Sequence, residues 1–246
     1  MSSQPPLANE DLETSASSDA PEAPRITQAM EDYLKAIYRL QGQDGQVTMQ
    51  ALSAELHLSP PSVTNMVKRL AELGLVEHTR YRDVTLTPAG EKIALRVLRN
   101  HRLLELYLTE TLGFEWDEVH AEAERLEHHL SAALEERIAA VLGDPTRDPH
   151  GDPIPRADGS IDRLAPTVLA DLEPGDEALI ARVSDRDPEA LRYLGELGVV
   201  PGERVVVLEK LPFDGPMRVR VAADEHLFGR PLAARINVAP LDVTPE

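Results

Sequence analysis

Between Asp117 and Leu142, apolar residues recur at the three- and four-residue steps of a helix buried along one stripe: Val119, Ala123, Leu126, Leu130, Leu134, Ile138 and Val141. The spacing predicts one amphipathic helix over the whole segment. A second stripe runs beside the first. His120, Glu124, Glu127 and His128 stand at offsets 0, 4, 7 and 8, so on a helix they point the same way. Two imidazoles and two carboxylates on one face make half a shell for a divalent cation. A solvated Glu/Arg face with incidental histidines accounts for the same residues equally well, so the rest of the chain has to decide.

The chain of 246 residues has no cysteine, which removes disulfides, thiolate zinc sites and cysteine nucleophiles. No apolar run approaches the roughly 20 residues that span a bilayer. The N-terminus is acidic and rich in Pro and Ser, unlike a secretory signal, so a cytoplasmic location with no membrane partner is expected. Net charge is −18, but it is unevenly spread: residues 46–96 hold six Lys/Arg against five Asp/Glu, and residues 97–246 hold 16 against 30. The single net-positive stretch is where a nucleic-acid reader would be placed.

Taken in order, residues 1–24 lack aromatics and any hydrophobic period and read as a disordered acidic tail. Residues 25–95 read as a winged helix-turn-helix DNA-binding domain. A first helix runs from Ile26 to about Leu40 with Asp32 in its first turns, and a short helix follows, capped by Thr48. A turn then leads to a second helix opened by Ser59-Pro60-Pro61 and closed by Gly74. Strand-like Leu75–Thr79 and Val84–Thr87 follow, with Tyr81-Arg82 at the tip between them. Val63, Val67 and Leu70 face inward, leaving Ser59, Pro61, Ser62, Asn65 and Arg69 outward: small donors and acceptors for base edges, arginine further along for phosphate. A packing unit with a surface hairpin is the plainer account.

Residues 96–160 read as a helical metal-binding and dimerisation domain: the wide apolar sides of its helices suit a second subunit, and His101 and Glu105, at i and i+4, form a second metal-capable pair. A Pro/Gly/Asp-rich loop closes it. Residues 161–246 read as a small β-barrel built from strands at Ala178–Val183, Arg204–Leu211, Met217–Ala222 and Ala234–Val238, with a helix at Pro188–Leu197. The fold class is therefore α+β and multidomain. No phosphate loop, nucleophile elbow or dinucleotide fingerprint is present.

The order of these pieces resembles the diphtheria toxin repressor family of iron- and manganese-dependent transcriptional regulators. The resemblance is carried by Met30-Glu-Asp-Tyr-Leu34, Thr87-Pro-Ala-Gly90, Asn100-His-Arg-Leu-Leu-Glu105, Val119-His120, Glu127-His128-His-Leu-Ser131 and Asp148-Pro-His-Gly-Asp-Pro-Ile-Pro155. It implies a homodimer, an SH3-like C-terminal domain similar to the ferrous-transport accessory fold, and metal-dependent repression through a palindromic double-stranded operator. It places a primary metal site on Asp32, Glu124, Glu127 and His128, and an ancillary one on His101, Glu105 and His120, to which Asp187 of the C-terminal domain is added. Carboxylates at Asp32 and Glu124 are the manganese-type choice, so manganese(II) is the expected metal, with iron(II) the second. Lys35 departs from those manganese-type members that place a Glu there to build a binuclear site. Two rivals remain: a winged-helix regulator answering to an organic ligand, and a helical di-iron carboxylate enzyme. The second normally needs two Glu-x-x-His motifs, which the chain lacks.

Overall fold

The computed structural model describes residues 26–45, 47–78, 83–163 and 166–241. The expected acidic tail and the tip arginine Arg82 lie outside them. Helix α1 (Gln28–Asp44) starts where the Thr27 hydroxyl accepts from the Met30 N–H and stops at Gly45, whose φ of 70° is left-handed. Helix α2 (Met49–Glu55) is capped in the same way by Thr48. Helix α3 (Pro60–Glu72) opens on two prolines, whose missing N–H groups would have no helical partner in any case. Strands β1 (Val76–His78) and β2 (Val84–Leu86) pair antiparallel, Val76 opposite Leu86. Met30, Leu34, Ile37, Leu52, Val63, Val67, Leu70 and Val84 form the core beneath them. Each fully buried aliphatic side chain there contributes about 1.5–3 kcal/mol.

Helix α4 (Pro88–Leu112) is the spine of the molecule. Its first turns belong to the N-terminal core through Ala94, and its later turns supply Leu103, Leu104 and Leu106 to a second core with Ala123 and Ile138. At its start the helix crosses the chain after α3 so closely that a Cβ on Gly90 would lie 2.0 Å from the Leu75 carbonyl oxygen.

The long helix expected from Asp117 to Leu142 is not continuous. Helix α5 (Val119–Leu126) passes into a 3-10 turn (Glu127–His129), Leu130 is extended, and helix α6 (Ala132–Val141) begins afresh under a Ser131 cap. Two interactions favour the break: the Glu127 carbonyl accepts from the Asn100 amide at 3.0 Å, and the Ser131 hydroxyl accepts from the Leu134 N–H.

After α6 a tight loop is organised by Asp148, whose carboxylate accepts from the N–H groups of His150 and Asp152 at 2.9 Å each. The C-terminal domain is a five-stranded antiparallel sheet in the order β6-β5-β4-β3-β7. The strands are β3 (Glu177–Val183), β4 (Arg204–Lys210), β5 (Met217–Val221), β6 (Asp224–Phe228) and β7 (Ile236–Ala239), with α7 (Pro188–Glu196) and the short α8 (Arg230–Ala233) between them. Strand β6 was not expected from sequence. It is an edge strand burying only Phe228, so its residues carry almost no hydrophobic alternation.

This domain docks on the helical one. Val183 N–H donates to the His150 carbonyl at 2.9 Å, Arg182 binds Asp152 at 2.7 Å and Arg192 binds Asp117 at 2.8 Å. Gly151, at φ +89°, passes so close over β3 that a Cβ would sit 2.1 Å from the Ala181 carbonyl oxygen. The chain's single tryptophan, Trp116, lies in the same seam. It stacks on His150 with ring centroids 5.7 Å apart and packs on the C-terminal core beside Gly195.

Candidate metal centre

Three elements converge beneath the N-terminal core: α1 with Glu31, Asp32 and Lys35, α4 with His101 and Glu105, and α5 with its 3-10 extension carrying His120, Glu124, Glu127 and His128. In the primary group His128 Nε2 lies 2.8 Å from Asp32 Oδ1 and 3.4 Å from Glu127 Oε1. The other ring nitrogen, Nδ1, is 2.7 Å from Glu31 Oε2, so α1 holds the imidazole from both edges. Glu31 is held in turn by Arg96 at 2.6 Å. A carboxylate on the second nitrogen is how ligating histidines are commonly oriented.

Glu124 does not join this group directly. Lys35 Nζ lies 2.7 Å from Glu124 Oε1 and 2.5 Å from Glu127 Oε1, and the Lys35 and Glu127 side chains are almost wholly buried. In the sequence Lys35 marks only a departure from the manganese-type pattern, and Glu31 carries no signal. Both came to the site through tertiary contact, although their places one residue before and three after Asp32 put them on neighbouring faces of α1.

In the ancillary group His101 Nε2 is 2.9 Å from Glu105 Oε1, His120 Nδ1 is 3.1 Å from the same oxygen, and the two imidazoles meet edge-on at 73°. His101 Nδ1 reaches Glu127 Oε2 at 2.6 Å. Glu127 thus presents one oxygen to each group.

Asp187, expected here, is not brought to this cluster. Its carboxylate caps α7, accepting from Ala190 N–H at 3.2 Å, and pairs with Arg235 at 2.5 Å. The Asp-Pro step at Asp187-Pro188 is itself a helix-start signature and could have given this answer. The carboxylate that the C-terminal domain does bring is Asp185, buried, 3.6 Å from His120 Nδ1 and 3.4 Å from Arg39 of α1.

The electrostatics follow from burial set against pairing. Burial opposes charge on His101, but Glu105 and the hydrogen bond to Glu127 outweigh it and lift the ring to about 9. Glu105 is pushed upward by burial, yet His101 and His120 hold it well below the usual carboxylate range. Glu124 also sits low despite burial, because of Lys35 and His101. Asp32 goes the other way, as burial outweighs the attraction of His128 and Lys35. Because the folded value of His101 lies above its ordinary 6.5, its contribution is complete below about pH 6.5 and is lost as pH rises through about 9. Metal-free protein should lose about 3 kcal/mol across that window. Thermal melts between pH 7 and 10 check this, with His101→Gln expected to flatten the slope.

The donor set fits a divalent cation. It offers carboxylate oxygen and imidazole nitrogen only, and neighbouring donors stand 2.8–3.4 Å apart in the primary group, like adjacent ligands of one ion with bonds of about 2.1 Å. Asp32, Glu127 and His128 form one cluster of suitable donor atoms, and His101, Glu105 and His120 another. On the far side of Glu105, its Oε2 and His150 Nδ1 are buried 3.8 Å apart without hydrogen-bond partners.

Comparison with known proteins gives this geometry its setting. Residues 25–84 match the N-terminal DNA-binding domain of iron-dependent repressors, residues 87–156 their metal-binding and dimerisation domain, and residues 167–240 the FeoA domain. The iron-dependent repressor IdeR of Mycobacterium leprae is 36% identical over 196 residues, spanning 74% of this chain and 84% of the relative. The chain belongs to the iron-dependent repressor family. This repressor is also similar to a solved manganese-dependent transcriptional repressor in complex with manganese. That structure is 41% identical, has a TM-score of 0.80, and is covered over its whole length by 86% of this chain. ScaR with bound Cd2+ is 31% identical at a TM-score of 0.74, covering 86% of this chain and 99% of its own. The family is one of repressors rather than enzymes, which sets the di-iron carboxylate reading aside. Among the described residues no helix is long and apolar enough to cross a membrane.

Proposed function

We propose that this repressor is a cytoplasmic homodimer that binds a palindromic double-stranded operator when Asp32, Glu124, Glu127 and His128 hold manganese(II), with iron(II) as the second activating ion. His101, Glu105 and His120, approached by Asp185, form the ancillary site in this reading. The observation that carries it is the meeting of Asp32 with His128. One donor rides on the first helix of the DNA reader, and the others belong to the helical scaffold.

When bound, the ion would supply the positive charge that draws these carboxylates together. Asp32 then fixes α1, and with it α3, against α5 and its 3-10 turn. Glu31 keeps the His128 ring in position from the other edge. The pose of α3 is thereby tied to the scaffold that would carry the partner subunit. Manganese binds more weakly than iron or zinc at most sites, so ligand type has to select it; three carboxylates and one imidazole, with no sulfur, suit a hard ion. The names of relatives support both metals, since IdeR is called iron-dependent and the solved neighbour manganese-dependent.

The test is an anaerobic operator-shift titration with manganese, ferrous and zinc ions and a chelator control. Manganese should activate best and zinc should occupy the site with poorer activation. Activation by ferrous ion but not by saturating manganese would make the protein an iron sensor. Binding indifferent to chelator would favour an organic effector instead.

Ser59, just before α3, and Pro61, Ser62, Asn65 and Arg69 on it are all exposed, while Val63, Val67 and Leu70 are buried. Ser62 and Asn65 should therefore select bases and Arg69 bind phosphate, a role the sequence also suggests for Arg82. Arg69→Ala should weaken binding to all sequences alike and lower the salt slope by about one unit. Asn65→Ala should change sequence preference at an unchanged slope.

A further inference from the structure

Lys35 is the least expected member of the centre. It reaches from α1 across to both α5 and the 3-10 turn, and its side chain is only 6% exposed. A buried ammonium is tolerated only where carboxylates answer it, and two do, Glu124 at 2.7 Å and Glu127 at 2.5 Å. The Glu127 oxygen involved, Oε1, also faces His128 Nε2 at 3.4 Å, so Lys35 and the primary group draw on one atom. Glu124 is turned toward Lys35 and lies 3.7 Å from His120 and 3.9 Å from His101, while Asp32, Glu127 and His128 gather without it. An ammonium and a divalent ion that share one carboxylate oxygen repel each other strongly in so dry a place.

We propose that Lys35 is a tethered cation that competes with the metal for Glu124 and Glu127, and so sets the metal concentration at which this repressor responds. The proposal rests on the reading that these carboxylates hold the activating ion. Without metal, Lys35 neutralises the two carboxylates and holds Glu124 away from Asp32 and His128, the pairing seen here. For Glu124 to join Asp32, Glu127 and His128, the ammonium has to leave. The alternative is a permanent rung, with Lys35 joining α1 to α5 whether or not metal is bound.

Two measurements on the full chain separate these. In the first, metal-free wild-type protein is acetylated with and without saturating manganese(II), and each lysine is followed by mass spectrometry. Lys35 should be protected without manganese and labelled with it, while the exposed Lys68 and Lys92 stay unchanged. In the second, manganese binding to wild type and to Lys35→Met is read from the free-ion paramagnetic resonance signal, independently of DNA. If the Lys35-engaged form holds about nine-tenths or more of the metal-free population, the variant should bind about tenfold or more tightly. It should also melt lower without metal, because buried Glu127 loses its Lys35 partner. Manganese bound while Lys35 stays protected, or an affinity unchanged or weakened in a folded Lys35→Met, overturns the competition and leaves the metal site standing. No manganese binding by wild type overturns the site assignment itself.

Discussion

Asp32→Ala should give a folded protein whose operator affinity no longer rises with manganese. The loss expected for a typical allosteric coupling of about 1–3 kcal/mol is roughly 5- to 150-fold. Stability should scarcely change, because the Asp32 side chain is 41% exposed. Glu127→Ala makes the informative contrast. Glu127 is fully buried and answers Lys35, His101 and His128 at once, so its removal takes one buried carboxylate partner from each of them. That variant should lose the metal response and also about 3–5 kcal/mol of stability, a fall of roughly 6–20 °C in Tm for a chain of this size. Operator shifts and melts on the same samples check both. Full metal dependence in Asp32→Ala would remove Asp32 from the switch.

The second large effect is on folding. Gly90→Ala places a methyl group 2.0 Å from the Leu75 carbonyl and 3.3 Å from the Leu34 side chain. Backbone cannot yield as a flexible side chain does, so α4 must shift off the N-terminal core. A cost of about 3 kcal/mol or more follows, at the upper end of overpacking. Gly42→Ala is the control. It sits in α1 with nothing within 4 Å of the added carbon, and should be neutral or stabilising by about 0.4–1 kcal/mol. A melt showing equal Tm for the two variants would mean that α4 is not held where the structure has it.

The residues that made the centre legible in the sequence were those obeying helical spacing. His101 and Glu105 share a turn of α4, and His120 with Glu124 a turn of α5, and such pairs need no tertiary knowledge. The stripe from Asp117 to Leu142 misled for the same reason. Its apolar period continues through Leu130, while the Asn100 bond to the Glu127 carbonyl is long-range and the Ser131 cap is a local signal that a strong period masks. Asp185 and Asp187 differ by two residues in a loop, and only the docking of the C-terminal domain shows which one faces His120. Lys35 stands out in the sequence only as a departure from the manganese-type pattern, and Glu31 not at all. Their burial comes from α4 and α5 closing over them, which no spacing within α1 announces.

Trp116 gives the molecule an optical readout of one place. Its carbonyl accepts from His150 Nε2 at 2.8 Å, its ring stacks on that imidazole, and the far nitrogen of His150 faces Glu105 of the ancillary group at 3.8 Å. One histidine therefore separates the only indole in the chain from a carboxylate proposed to hold metal. Excited selectively at the red edge of its absorption, this indole reports the seam between helical scaffold and barrel with no label attached. A paramagnetic ion at Glu105 quenches it at close range, so the emission follows the filling of the ancillary group.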